Sequence, residues 1–138
     1  MMTAKEYLSQ ARKIDIKLKA MAEQLEHLKS AAEYVGVQYS DMPRPVRNIH
    51  RSEDAMVRVM DMEKRINAEF IRLTEISATI EQMSDPVLYT LLVKRYLTGE
   101  AWQDIAEDMS VSISHLYRLH SAALDEIENL IANESKGH

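Results

Sequence analysis

The sequence predicts an all-α protein: a long antiparallel helical hairpin of coiled-coil type, followed by a C-terminal helix-turn-helix. Glycine and proline number only three each among 138 residues, a composition typical of helical proteins. Apolar residues recur at helical spacing through most of the chain, and two short helical patterns joined by a tight turn lie near its end. We place the domain boundary before Asp85-Pro86, which assigns residues 1–84 to the hairpin and 85–138 to the helix-turn-helix domain.

The first helix is predicted from residue 4 to about residue 34, ending near Gly36. Thr3 and Glu6 have the spacing of a capping box, in which the hydroxyl caps the helix and the carboxylate reaches back to a free N–H. The apolar residues that follow alternate at spacings of four and three, the heptad pattern of a coiled coil. They are Tyr7, Ala11, Ile14, Leu18, Met21, Leu25, Leu28 and Ala32.

A break is predicted from Val35 to Arg51, because Gly36, Pro43 and Pro45 interrupt a helix. Ser52 is then expected to cap a second long helix, which ends before Asp85-Pro86. Its apolar stripe is predicted as Met56, Val59, Met62 (or Glu63), Ile66, Phe70, Leu73, Ser77 (or Ile76), Ile80 and Met83.

The length of these two helices predicts self-association. Helices of about 30 residues would each be about 45 Å long. A hairpin of two helices cannot enclose apolar stripes of that length, so part of them is expected to meet either the C-terminal domain or another copy of the chain, and we favour another copy. We therefore expect a homodimer or a higher homo-oligomer, dimers being the commonest solution.

The segment from Leu91 to Ile127 fits a helix-turn-helix, the motif that lays its second helix in the DNA major groove. Ile105 and Ala106 are apolar and small where two helices must cross closely, residues 109–111 form the turn, and Ser112 is expected to cap the second helix. Helical spacing then predicts an inward stripe of Leu116, Leu119, Ala123, Leu124 and Ile127. The outward face that remains consists of Ile113, Ser114, Tyr117, Arg118 and Ser121.

A family resemblance lies in this same segment. The residues RYL (95–97), DIAEDM (104–109), SVS (110–112) and AL (123–124) with Ile127 resemble region 4, the last promoter-reading domain of bacterial sigma factors. Over its whole length the chain is similar in plan to small phage-encoded regulators of the ArpU and RinA type, which control late phage genes. The resemblance implies a DNA-binding transcriptional regulator of phage or prophage origin, with double-stranded DNA as its partner.

The resemblance also implies which residues touch DNA. In sigma factors the first turns of the second helix contact bases and phosphates, and these turns correspond to Ile113, Ser114, Tyr117 and Arg118. The chain departs from that family at three positions: Ser110 stands where glycine is usual, and Ile113 and Tyr117 stand where basic residues are usual. Arg118 is the strongest candidate, because a guanidinium can bridge two acceptors of guanine or clamp a phosphate. Its alternative role is a surface charge, or an ion pair with an acid such as Glu107.

The full set of candidate DNA-binding residues is wider than these four positions. His115 can donate to a phosphate from the start of the second helix, and the segment before the second long helix carries three arginines without an acid. The candidates are Ser112, Ile113, Ser114, His115, Tyr117, Arg118 and Ser121, with Arg44, Arg47 and Arg51 as weaker ones.

The uneven charge leaves other partners open. Through Ser84 there are 13 basic and 13 acidic residues, and from Asp85 onward 4 and 9, so the net charge of −5 lies in the C-terminal part. DNA affinity comes largely from phosphate neutralisation, so this part alone is expected to bind DNA weakly. One alternative is a protein-interaction module that docks on RNA polymerase or a sigma factor. Another is a DNA-packaging subunit like a small terminase.

Several classes of site find no support in the sequence. Without cysteine there is no disulfide or thiolate metal site, and His115 and His120, five positions apart, lie on different helix faces. We expect no metal, no cofactor and no enzyme, since nucleophile elbows and phosphate-cradling glycine loops are missing. The chain has neither a bilayer-spanning apolar run nor a signal-peptide core, which favours the cytoplasm of a bacterial host cell and no membrane partner.

Overall fold

The computed structural model describes residues 2–38 and 46–136, and the side chains of residues 2–33 and 53–134. It contains five α-helices and a π-helical segment, Val93–Leu97, and the described residues include no strand. The all-α prediction is therefore confirmed. The helices are α1, Ala4–Gln38; α2, Val46–Glu81; α3, Pro86–Leu92; α4, Trp102–Met109; and α5, Ile113–Lys136.

Helix α1 begins with the predicted capping box. The Glu6 backbone N–H donates to the Thr3 hydroxyl at 3.2 Å, and the Thr3 N–H donates to the Glu6 carboxylate at 3.3 Å. All eight residues of the predicted heptad stripe are buried or partly buried. The helix continues two residues past Gly36, since a single glycine costs only about 1 kcal/mol in a helix of this length.

Helix α2 begins at Val46, so the predicted break to Arg51 and cap at Ser52 are wrong. Residues 46–52 contain neither glycine nor proline, and nothing in them opposes a helix once Pro45 is passed. Arg47 and Arg51 therefore lie in the first turns of α2, although their side chains are outside the described part of the structure. Arg44 lies outside the described residues altogether.

The apolar residues of α2 lie on two faces, where the sequence predicted one stripe. Met56 and Phe70, which were expected in the inward stripe, are 53% and 57% exposed. Between the alternatives for the inward stripe, the structure buries Met62 and Ile76 and exposes Glu63. The buried residues are Val59, Met62, Ile76, Ile80 and, just past the helix, Met83.

Three of the exposed apolar residues belong to what we call the outer face of α2, formed by positions 56, 60, 63, 67 and 70, which are spaced alternately by four and three. Met56 and Met60 stand at one end of this face and Phe70 at the other. Glu63 and Asn67 lie between them, and all five side chains are exposed. The outer face is therefore apolar at its ends and polar in its middle.

The chain divides into two compact units, residues 1–15 with 72–138, and residues 16–71. The two long helices pack together, and each unit contains a polar contact between them. In the second unit the Lys17 ammonium lies 3.0 Å from the Glu69 carboxylate. In the first unit the hydroxyls of Tyr7 and Thr79 lie 2.9 Å apart, and Thr79 also donates to the Glu75 carbonyl.

The first unit also contains the three C-terminal helices, α3, α4 and α5. Asp85 caps α3 by accepting from the N–H groups of Val87 and Leu88, and Pro86 occupies the first turn as predicted. Both α3 and α4 pack against α5. Their core contains Leu91, Ile105, Ala106 and Leu116, with Trp102, Met109, Val111, Ile113 and Leu119 packed around it.

None of the described helices combines the length and the apolar character needed to cross a bilayer.

Candidate nucleic-acid interface

Helix α4 ends in a Schellman motif that sets the turn to α5. The Val111 N–H donates to the Ala106 carbonyl at 3.0 Å, and the Ser110 N–H donates to the Glu107 carbonyl at 3.2 Å. The motif requires a left-handed residue, and Ser110 supplies it with φ 58° and ψ 43°. Among the described residues it is the one non-glycine residue with positive φ. This is the position where the sigma-like pattern usually has glycine, which adopts that conformation without steric cost.

Helix α5 starts at the residue the sequence predicted. The Ser112 hydroxyl accepts from the His115 N–H at 3.1 Å, the bond expected of a serine N-cap. Leu116, Ala123 and Ile127 are each fully buried. Helix α4 lies against Leu116 through Ile105 and Ala106.

The opposite side of α5 presents a row of polar side chains. Ser114, His115, Tyr117, Arg118 and Ser121 are all exposed. Neither a hydrogen bond nor an ion pair holds Arg118 to another described residue, so the alternative pair with Glu107 is not formed. The row offers hydroxyl groups and one guanidinium to a partner.

Ile113 does not belong to this row. It was expected to point outward, but it is only partly exposed and packs against the core of the three C-terminal helices. The first residue of α5 lies directly beside Val111 of the turn, and an apolar side chain there is drawn into the same cluster. A groove contact by Ile113 would therefore be limited to its exposed edge.

An aromatic cluster, which the sequence pattern does not predict, flanks the row. The Trp102 ring makes edge contacts with Tyr117 and His120, with centroids 5.3 and 4.7 Å apart. The Arg95 guanidinium lies 4.4 Å from the Trp102 ring centroid, within the range of a cation–π contact. Tyr117 and His120 are three apart on one helix, a signal that both rings share a side. Their partners come from other elements, which no local pattern reveals.

His120 is buried and held by a single strong contact. Its Nε2 lies 2.6 Å from the Tyr96 hydroxyl, and the two rings stack. Burial, with smaller contributions from the charges of Lys5 and Arg95, lowers the pKa of His120 to about 4. Burial likewise raises the pKa of Tyr96. Near neutral pH the imidazole is therefore neutral, and its tautomer sets which of the two groups donates.

The π-helical segment carries two basic residues, Lys94 and Arg95, the second of which opens the RYL pattern. Its wider turn is closed by the Thr98 N–H donating to the Val93 carbonyl at 2.9 Å. Lys94 pairs with Asp108 at 3.0 Å and with Glu100 at 3.6 Å. The Arg95 Nη1 donates to the Glu100 carbonyl at 3.0 Å. Lys94 is thus neutralised by acids, whereas Arg95 keeps its charge beside Trp102.

No protein-family model, curated protein or solved structure matches this chain. The interpretation of the site therefore rests on its own geometry. Within the part of the chain that the structure describes, no group of three His, Cys, Asp or Glu side chains is placed to hold a metal ion. What the site offers is a set of hydrogen-bond donors, one free guanidinium on α5 and a cationic aromatic cluster.

Proposed function

We propose that the chain is a DNA-binding transcriptional regulator, of phage or prophage origin as the resemblance implies, in which α4 and α5 act as a sigma-like helix-turn-helix. The observation that supports this most is the joint geometry of the Schellman turn at Ser110, the Ser112 cap and the exposed row on α5. Helix α5 would enter the major groove, with Arg118, Tyr117 and Ser114 directed at base edges and phosphates.

The long helices would act as an antiparallel hairpin that joins two or more copies. The partner of Tyr7 is Thr79 and that of Lys17 is Glu69, so numbers that rise along α1 fall along α2, as an antiparallel pair requires. The outer face of α2, which exposes two methionines and Phe70, is the surface that a second copy would cover. A dimer would double a DNA contact that is weak in one subunit.

A second candidate is a module that docks on RNA polymerase or a sigma factor. The acidic surface favours it, because exposed carboxylates of α4 and α5 repel phosphate and complement a basic protein surface. They belong to Asp104, Glu107, Asp108, Asp125 and Glu128.

The test begins with selection of bound duplexes from a randomised double-stranded DNA library at about 50 mM salt, where electrostatic binding is strong. Affinity for a selected duplex and for its scrambled sequence is then measured by fluorescence anisotropy. Arg118→Ala should cost about 1–3 kcal/mol on the selected duplex and relax the preference at one base pair.

Arg65→Ala is the matched control, since Arg65 is exposed and lies in the other unit. It removes the same charge without touching α5. A wild-type protein that enriches no sequence, or an Arg118→Ala variant that binds the selected duplex unchanged, would contradict groove reading. Co-purification with polymerase would then decide for the second candidate.

A further inference from the structure

A cationic cavity lies in the first unit and shares no lining residue with the exposed row of α5. Its volume is about 320 Å³, and it is lined by Ser9, Arg12 and Lys13 of α1 and by Arg95, Tyr96 and Gly99 after α3. Three of the six lining residues are cations and none is an acid. In a chain of net charge −5, such a concentration of positive charge is unusual.

The positive charge of the cavity is only partly compensated. Arg12 pairs with Asp15 at 3.1 Å, and Arg95 donates to a backbone carbonyl rather than to a carboxylate. Lys13 is exposed, and among the described residues its ammonium has neither a hydrogen bond nor an ion pair. Three cations beside one carboxylate leave a net charge of +2 at the cavity.

Gly99 shapes the cavity. Its φ is +79°, and a Cβ built on it would lie 2.5 Å from the Arg12 Cζ. Only a residue without a side chain lets the Arg12 guanidinium rest against this turn. The turn and the guanidinium are 87 positions apart in sequence, so the close approach is a feature of the folded unit.

We infer that this cavity binds a phosphate group, and that the phosphate belongs to the DNA backbone beside the groove contacted by α5. Two guanidinium groups, an ammonium and the Ser9 hydroxyl supply donors suited to phosphate oxygens. The inference about DNA rests on the proposed function. The binding of the phosphate group itself does not.

Continuity of contacts links the cavity to the exposed row. Arg95 lines the cavity and stacks over Trp102, and Trp102 touches Tyr117, which lies next to Arg118 on the exposed face of α5. Phosphate contacts flank the recognition helix in proteins that read the major groove, and they fix its register. The first turns of α1 thus supply cations that the acidic C-terminal residues lack.

The test uses the full chain, the exposed variant Lys13→Gln and a matched control, Lys29→Gln, which removes the same charge further along α1. Circular dichroism checks that both remain helical, and Arg12→Gln serves as a second cavity variant. Trp102 is the single tryptophan and lies against Arg95, so its fluorescence reports on the cavity.

In the first arm, sodium phosphate is titrated at constant ionic strength set by sodium chloride. It should change the Trp102 fluorescence with saturation, and Lys13→Gln should weaken that response about threefold or more, while Lys29→Gln leaves it unchanged. In the second arm, Lys13→Gln should weaken binding to the selected and the scrambled duplex alike by about 3–10-fold. It should also lower the slope of log affinity against log salt by about one.

The outcomes separate the two proposals. In one outcome the wild type shows a fluorescence response to phosphate but binds no duplex. This result supports an anion cavity and assigns it to free phosphate. It overturns the DNA role of the cavity together with the proposed function. A second outcome overturns this inference while the proposed function stands. In it the wild type binds a duplex selectively, Lys13→Gln and Arg12→Gln bind that duplex with the same affinity as Lys29→Gln, and phosphate gives no fluorescence response.

Discussion

At the scale of single residues, the burial of His120 makes the stability of the folded protein depend on pH. A neutral imidazole shares a hydrogen bond with the Tyr96 hydroxyl in the core, and protonation would place a charge there without an acid to receive it. Because the pKa of His120 falls to about 4 in the folded protein, the unfolded chain binds the proton more readily. The contribution of His120 to the free energy of unfolding is therefore complete above the pKa of the unfolded state, and it is lost as pH falls from about 6.5 toward 4.

The expected loss can be measured by urea unfolding at pH 7.5 and pH 5. Between these values His120 should remove about 2 kcal/mol from the free energy of unfolding. His120→Gln should be less stable at pH 7.5 but lose less on acidification, so that the difference between the two proteins narrows. His115→Gln, at an exposed position three residues from Ser112, is the control. Parallel pH profiles for wild type and His120→Gln would contradict this assignment.

At the scale of elements, the two helices of the candidate interface differ in their first turns. Ala101 has the extended backbone of an N-cap, φ −70° and ψ 148°, but makes no side-chain hydrogen bond to α4. Ser112 makes that bond to α5. Helix α4 therefore begins at Trp102 without a side-chain cap.

Adding the missing cap should stabilise the protein. Ala101→Ser places a hydroxyl where the free N–H groups of α4 need an acceptor, and should raise the free energy of unfolding by about 0.5–2 kcal/mol. Ser112→Ala is the reciprocal variant and should lower it by a similar amount. Thermal or urea unfolding at pH 7.5 measures both. An Ala101→Ser variant no more stable than wild type would mean that water already serves these N–H groups equally well.

Elements whose signals are local could be predicted from the sequence, and those that depend on distant partners could not. The capping box at Thr3, the heptad stripe of α1 and the cap at Ser112 all depend on spacings of a few residues. The start of α2 was not predicted, because the residues just after Pro45 give only weak local signals for a helix and the prolines before them indicate a loop. Met56 and Phe70 were assigned to the wrong face because residues on two adjacent faces of a helix can satisfy the same periodicity.

The candidate site shows the same limit. Ser114, Tyr117 and Arg118 could be found from helical spacing, and the structure exposes all three. The cluster of Arg95, Trp102 and His120 joins three separate elements, and the cationic cavity joins the first turns of α1 to the turn at Gly99. Such meetings are set by tertiary packing, which no pattern within one segment encodes.

At the scale of the whole molecule, the outer face of α2 predicts self-association. Met56→Lys combined with Met60→Lys should convert an oligomer into a monomer without loss of helix, since both side chains are more than half exposed. Light scattering measures the mass against the 15.9 kDa of one chain. Asp61→Lys, at an exposed position on another face of α2, is the control and should leave the oligomer intact. A wild-type protein that is already monomeric would exclude this interface and the doubling of the DNA contact.

The domain boundary between residues 84 and 85 stays a prediction, and it concerns whether residues 1–84 and residues 85–138 each fold alone. The first unit takes residues 1–15 together with 72–138, and Leu8, Ala11 and Tyr7 contribute to its buried interior. A fragment that begins at residue 85 would lack these side chains as well as the cations of α1.

Because the first unit combines residues 1–15 with residues 72–138, its two parts are synthesised at different times. Tyr7 and Thr79 are 72 positions apart, and at roughly 5–20 residues per second the ribosome needs about 4–14 s to synthesise that interval. Through that time the first turns of α1 have been made and the partners that bury Leu8 and Ala11 have not. A factor that shields apolar surface during synthesis would act in that window.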